Sequence, residues 1–380
     1  MSRPKLRILH LHSSFQAGGK ELRSVRLMNA FGPDCEHTIV SAEPGAFGAR
    51  AAIDPAIPIS FPADFPALAG RPTPARLQRI ARAMLGHDLV LTYNWGAMDG
   101  VMAHTLFSKV FRLPPLVHHE DGFNQDEAIR LKPSRNWYRR IALAMAQALI
   151  VPSEQLEDTA IRIWQQPPGK VHRIINGIPT MAYGRKAKRD VLPRIIKHPG
   201  EMWLGTLAGL RAVKNLPRLI RAFAAMPDHW HLVILGEGPE REAIRAEAVR
   251  LGIGHRVHLP GFAANPAQVL GLFDLFALSS DSEQFPISVV EAMAAGLAVV
   301  SPMVGDVAMM VAEENRPYLA AAGDEAGLAE ALCALASNPK ERSLIGAANR
   351  RVAREKFDEE RMISAYRAVY ARAMRRHFFP

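Results

Sequence analysis

Cysteine is nearly absent. The 380-residue chain has two, Cys35 and Cys333, far apart and without metal-ligand spacing. This excludes a disulfide framework and a cysteine-based zinc site, and it fits a reducing compartment. Long apolar runs are missing too. The longest candidate, Ile141 to Val151, falls short of the roughly 18–20 residues that span a bilayer. The start, MSRPKLRILHLHSS, reads as a first core strand with no secretory cleavage site. A soluble cytoplasmic protein is the expectation. Aromatic residues make up 7% of the chain and no nucleic-acid recognition pattern is visible, which weighs against a nucleic-acid partner.

Basic charge is in excess. The net charge is +10, and two segments concentrate it: Arg130, Lys132, Arg135, Arg139 and Arg140 in one, Arg185, Lys186, Lys188, Arg189, Arg194 and Lys197 in the other, with Asp190 as its one acid. An anionic membrane surface attracts such clusters by about 1 kcal/mol per charge. Nucleic acid would as well. A solvated basic face is the third reading.

The chain length suits two domains, and both halves alternate strand-like and helix-like segments. Strands are expected at Leu6–His12, His37–Ser41, Asp88–Tyr93, Pro115–His118 and Ala148–Pro152. In the second half they are expected at Met202–Ala208, His231–Leu235, Val257–Leu259, Asp274–Leu278 and Leu297–Val300. Helical patterns fill the intervals, which predicts α/β domains with parallel sheets covered on both faces. The expected division is an N-terminal domain at 1–178, a linker at 179–200, and a C-terminal domain at 201–360. A closing helix at 361–380 is expected to pack back toward the N-terminal domain.

The most informative stretch is LSSDSEQFPISVVEAMAAGLAVV, Leu278 to Val300, which holds Glu283 and Glu291 with seven residues between them. A strand leads into a polar loop at Asp281–Phe285. Pro286 suits the first helical position, the helix carries Glu291 past its first turn, and Gly296 stops it. Glu283 is thus expected at a strand's carboxyl end beside a helix N-terminus, where open α/β sheets bind ligands. Such amides suit a phosphate, and carboxylates suit sugar or ribose hydroxyls.

Other loops follow strand ends in the same way. Gly209-Leu210-Arg211-Ala212-Val213-Lys214 offers two cations three residues apart, able to clamp a pyrophosphate. Gly18-Gly19-Lys20-Glu21 opens a helix after the first strand. His118-His119-Glu120-Asp121-Gly122 places polar groups beyond a buried strand. A shared metal ion is disfavoured there, because neighbours on extended backbone point to opposite faces. Gly236-Glu237-Gly238-Pro239 and Gly261-Phe262 follow two further strands, while a structural role is expected for Asn94, Trp95 and Asp99.

The Glu283–Glu291 motif in this setting resembles the signature of the retaining nucleotide-sugar glycosyltransferases of family four, group 1 glycosyltransferases with the GT-B fold. The resemblance is dense in the second half and loose in the first. It implies two doubly wound Rossmann-like domains facing a cleft and transfer of a hexosyl group, with retention, from a nucleoside diphosphate sugar. UDP-sugar is the expected donor from its frequency in the family. The implied acceptor is a hydroxyl of a saccharide or lipid-linked molecule in cell-envelope glycan, lipopolysaccharide or glycolipid synthesis. In the family this first domain docks on membranes, which implies a peripheral place on the cytoplasmic face.

By the same resemblance Glu283 meets the sugar, with His118 or His119 beside it and His118 preferred. Glu291 holds the ribose, and Lys214 meets the diphosphate. The family's arginine stands five residues before that lysine, where this chain has Gly209, so Arg211 is the replacement to consider. Gly18, Gly19, Gly236, Phe262, Phe285, Pro286 and Ile287 complete the implied donor site, and Asn176-Gly177 marks the interdomain junction. The family needs no metal or other cofactor, and no Asp-x-Asp metal motif stands in a suitable place. Rival readings are a nucleotide-sugar epimerase or hydrolase of the same fold, and a basic non-catalytic nucleotide- or nucleic-acid-binding protein.

Overall fold

The computed structural model describes residues 5–123, 127, 130–184, 187–193, 195–263 and 265–380. The chain forms two compact units, Met1–Ile175 with Glu360–Pro380, and Asn176–Glu359. Residues 179–200, expected as a linker, fall inside the second unit, where Tyr183 and Leu192 are buried in the core. Of the basic run in that stretch, Arg185, Lys186 and Arg194 lie outside the described residues.

The first unit contains β1 (Leu6–His12), α1 (Gly19–Phe31), β2 (Cys35–Ser41), β3 (Ile59–Ser60), α2 (Pro74–Ala83), β4 (Leu89–Tyr93), α3 (Met98–Phe111), β5 (Leu116–His119), α4 (Pro133–Ala142), β6 (Ala148–Val151), α5 (Glu154–Arg162) and β7 (Val171–Arg173). Its seven strands run parallel in the order β3-β2-β1-β4-β5-β6-β7. Parallel strands bury both faces. On β1, Leu9 and Leu11 therefore pack with Leu77 and Ile80 of α2, while Leu6 and Ile8 turn to the other core cluster.

The second unit contains β8 (Met202–Leu207), α6 (Leu216–Phe223), β9 (Trp230–Leu235), α7 (Arg241–Arg250), β10 (Val257–Gly261), β11 (Leu275–Ala277), α8 (Ile287–Ala295), β12 (Val299–Pro302), α9 (Val307–Met310), β13 (Leu319–Ala320), α10 (Glu325–Ser337) and α11 (Pro339–Lys356). Its strands are also parallel, in the order β10-β9-β8-β11-β12-β13. The order reverses between β8 and β11, which makes their carboxyl ends the topological switch point. Gly205 lies opposite Phe276 in that pairing, and the Phe273 ring occupies the space a side chain at 205 would need.

The last helix, α12 (Glu359–Ala373), returns to the first unit and buries Met362, Ile363, Tyr366 and Tyr370 with Leu6, Ile8 and Leu89. His119 joins it to the sheet. Its Nδ1 lies 3.0 Å from the Thr92 carbonyl, which can only accept, so Nδ1 carries the proton and Nε2 accepts from the Tyr370 hydroxyl at 2.9 Å. Nearby, His10 Nε2 lies 2.9 Å from His37 Nδ1.

Burial pushes the His119 imidazole down to about 3 and His37 to about 4. His10 and His12 also fall well below the usual 6.5, through burial first and then, for His10, the crowding of other histidines and, for His12, the nearby charge of Lys20. Held neutral when folded, these rings take up protons near 6.5 once unfolded, so the unfolded chain binds more protons below that pH. Their contribution is complete above about pH 6.5 and fades as the pH falls toward about 4. Denaturant unfolding should therefore give lower stability at about pH 5 than at about pH 7.5, by up to about 1.4 kcal/mol per histidine per pH unit. Equal stability at the two pH values would contradict this.

Candidate functional site

Two loops meet at the switch point of the second unit. Asn215, in the left-handed region with φ 42°, caps α6 by accepting from the Arg218 N–H and donates to Asp281 Oδ1 at 3.1 Å. Arg218 pairs with Asp281 at 2.7 Å. The Asp281 N–H donates to the Val213 carbonyl at 2.9 Å, and the Ser279 hydroxyl to the Lys214 carbonyl at 2.9 Å. These bonds bring Lys214 Nζ within 2.5 Å of Glu283 Oε1, to which Ser280 also donates at 2.7 Å. A cation and a carboxylate, both partly accessible, thus stand side by side beyond adjacent strands.

The helix after Glu283 starts one residue later than expected. Pro286 is its N-cap, with ψ 105° keeping it extended, and Ile287 is the first helical residue. At the other end Gly296 takes φ 81° and Leu297 N–H returns to the Ala292 carbonyl at 3.0 Å, closing the helix as expected. Phe285 is buried edge-on against Phe357, so its ring serves the core. Glu291 accepts from the Tyr183 hydroxyl at 2.8 Å. Nothing in the sequence pattern singled out Tyr183.

Arg211 folds back over Gly209. Its Nε lies 3.3 Å from where a Cβ at 209 would stand, so its charge fills the space a side chain there would take. Gly236, with φ 152°, presses on this same loop: a Cβ there would collide with the Ala208 carbonyl oxygen, and Leu210 N–H bonds the Glu237 carbonyl at 3.0 Å. Phe262 is 58% exposed on the turn after β10.

In the first unit the expected residues lie deeper. Gly18 is the N-cap of α1 and Gly19 its first residue, with Lys20 and Glu21 paired. Burial raises the Glu21 carboxyl above its ordinary range. His118 and His119 point to opposite faces of β5, and both are buried. His119 is committed to Thr92 and Tyr370, which makes it a packing residue instead of a group open to a substrate. His118 shares a 2.8 Å hydrogen bond with Thr92 Oγ1, and its Nε2 lies 3.7 Å from Glu120.

Glu120 in turn meets Arg139, which is fully buried and also bonded to Glu127. Arg135 pairs with Glu127 as well. Arg135 and Arg139 of this basic segment are therefore structural. Asp121 forms a buried pair with Arg23, which holds its carboxyl below the ordinary range against the opposing effect of burial. Asn94 accepts from the Asp121 N–H, Asp99 holds Arg76 and Tyr138, and Trp95 lies edge-on to Tyr138. Among the described residues no group of three or more His, Cys, Asp or Glu is placed to hold a metal, and no helix is long and apolar enough to cross a membrane.

Two family models match the chain: Glycosyltransferase Family 4 over residues 8–181 and Glycosyl transferases group 1 over residues 201–338. Among curated proteins, the N-acetyl-alpha-D-glucosaminyl L-malate synthase of Bacillus anthracis is 25% identical over 245 residues, 64% of each chain. The lipopolysaccharide core biosynthesis glycosyltransferase LpsD of Rhizobium meliloti is 27% identical over 161 residues, 42% of this chain and 47% of that one. The match thus spans less than two thirds of either relative. The crystal structure of Anabaena HepE in complex with UDP superposes with a TM-score of 0.76 at 21% identity, covering 97% of this chain and all of the other. That likeness shows the fold, GT-B.

Because Gly236 has a positive φ and no room for a Cβ, Gly236→Ala should lower the unfolding free energy by about 2 kcal/mol or more. Urea denaturation checks this; a change below about 0.5 kcal/mol, the range of ordinary surface substitutions, would contradict it.

Proposed function

Since the chain belongs to the family 4, group 1 glycosyltransferases, we propose that it moves a hexosyl group, with retention, from a nucleoside diphosphate sugar to a hydroxyl of a saccharide or lipid-linked acceptor. UDP-sugar is the proposed donor. The observation that carries the reading is the Lys214–Glu283 pair at the switch point. In this reading Lys214, with Arg211 folded over Gly209, neutralises the diphosphate as it leaves. Positioned charge of this kind contributes about 3–4 kcal/mol per donor to a transition state. Glu283 takes the transferred sugar's hydroxyls, and Glu291 takes the ribose. Protein cations carry the leaving-group charge, so no metal is required. The HepE complex with UDP supports the donor, and LpsD, a lipopolysaccharide core biosynthesis glycosyltransferase, supports a cell-envelope acceptor.

The acceptor side is proposed to work at an anionic membrane. Trp137 and Ile141, four apart on α4, are 61% and 52% exposed, and the Arg140 guanidinium lies over the Trp137 ring at 5.1 Å. Exposed tryptophan beside arginine suits the bilayer interface.

A panel of UDP-, GDP- and ADP-sugars should raise the melting temperature with one base class and be indifferent to EDTA. Glu291→Ala and Lys214→Ala should each weaken that donor by about tenfold or more, the equivalent of about 1.4 kcal/mol. No stabilisation by any donor would overturn the reading, and turnover without an acceptor would move it to a hydrolase or epimerase. In a separate test, the protein should float with anionic vesicles but not with neutral ones, and a Trp137→Ala, Ile141→Ala variant should float less. Absence of flotation would remove the membrane from the account.

A further inference from the structure

Tyr183 reaches Glu291 from the stretch through which the chain enters the second unit. That stretch is locked to the one by which the chain leaves it. Ile178 forms a parallel bridge with Asp358, its N–H donates to the Phe357 carbonyl at 3.0 Å, and the Glu359 N–H returns to the Ile178 carbonyl at 3.0 Å. The Thr180 hydroxyl donates to Asp358 Oδ2 at 2.6 Å. A short turn at Thr180–Ala182 then delivers Tyr183, whose residue is 5% exposed within the cluster of Val289, Phe285 and Phe357. Its hydroxyl ends 2.8 Å from Glu291 Oε1. Ring and backbone are both fixed, so the hydroxyl is a rigid donor.

We propose that Tyr183 is a positioning residue that holds the Glu291 carboxylate in the plane needed to accept from the vicinal hydroxyls of a nucleotide's ribose; this rests on the ribose-binding reading of Glu291. A glutamate side chain loses rotamer freedom on meeting a ligand, and a donor already bound to one oxygen removes part of that cost in advance. The carboxylate has about four acceptor sites, and the bond from Tyr183 takes one of them. A tyrosine serving the core alone could bond a backbone carbonyl; here the hydroxyl is aimed at a side chain on the helix that leaves the candidate site.

The test is calorimetric titration of wild type, Tyr183→Phe, Glu291→Gln and the double variant with UDP and with 2′,3′-dideoxyuridine diphosphate, with melting temperatures confirming folding. Wild type should prefer UDP. Tyr183→Phe should weaken UDP by about 5–10-fold, as expected for one hydrogen bond, leave the dideoxy analogue unchanged, and add nothing in the Glu291→Gln background. If wild type prefers UDP and Tyr183→Phe changes neither ligand, or weakens both equally, the positioning role is overturned while the ribose site stands. If wild type shows no binding of UDP or no preference for it, the ribose reading fails and the role of Tyr183 falls with it.

Discussion

A lysine and a glutamate, 69 residues apart in the chain, meet at 2.5 Å where the strand order of the second unit reverses. That meeting depends on each layer beneath it. β11 must lie against β8, and a glycine at 205 accommodates the Phe273 ring there. The two loops beyond those strands must then be tied to one another, through Asn215, Arg218 and Asp281 and through backbone bonds to Val213 and Lys214. With the loops so fixed the charges stand together. In the proposed function an anion arriving at Lys214 would compete with Glu283 for it, coupling binding at one group to the freedom of the other.

The first unit uses charge differently. Arg139 and Arg23 are buried and matched by Glu120, Glu127 and Asp121. Removing one partner of such a pair leaves an uncompensated buried charge, the costly case, whereas in the intact pair the attraction largely offsets the cost of desolvation. The buried histidines are kept neutral by the same desolvation, and His119 becomes the point where the returning α12 is bonded to the sheet. Polar residues at these strand ends hold the unit together.

Much of this was legible in the sequence. Apolar runs bounded by Gly and Pro located the longer strands, with β1 matching residue for residue, because strands buried on both faces need uninterrupted hydrophobicity. The short edge strands β3 and β7, of two and three residues, carry no periodic signal and went unseen. That Glu283 and Lys214 follow strand ends was readable from loop context, although their direct contact was not. His118 and His119 show the limit: position after a strand does not tell whether a side chain faces solvent or the core, and here tertiary packing with α12 and α4 decided it. Tyr183 was invisible because its stretch reads as charged and irregular, while its burial depends on contacts with Phe357 and α8 far along the chain.

In the proposed function Lys214 and Glu283 mark the diphosphate end of a nucleotide-sugar site. The most direct measurement is the affinity of wild type and Lys214→Met for UDP against uridine. Wild type should bind UDP far more tightly than uridine, and the substitution should remove most of that preference while leaving uridine binding intact. Equal affinity of the wild type for the two ligands, or an undiminished preference in Lys214→Met, would contradict it.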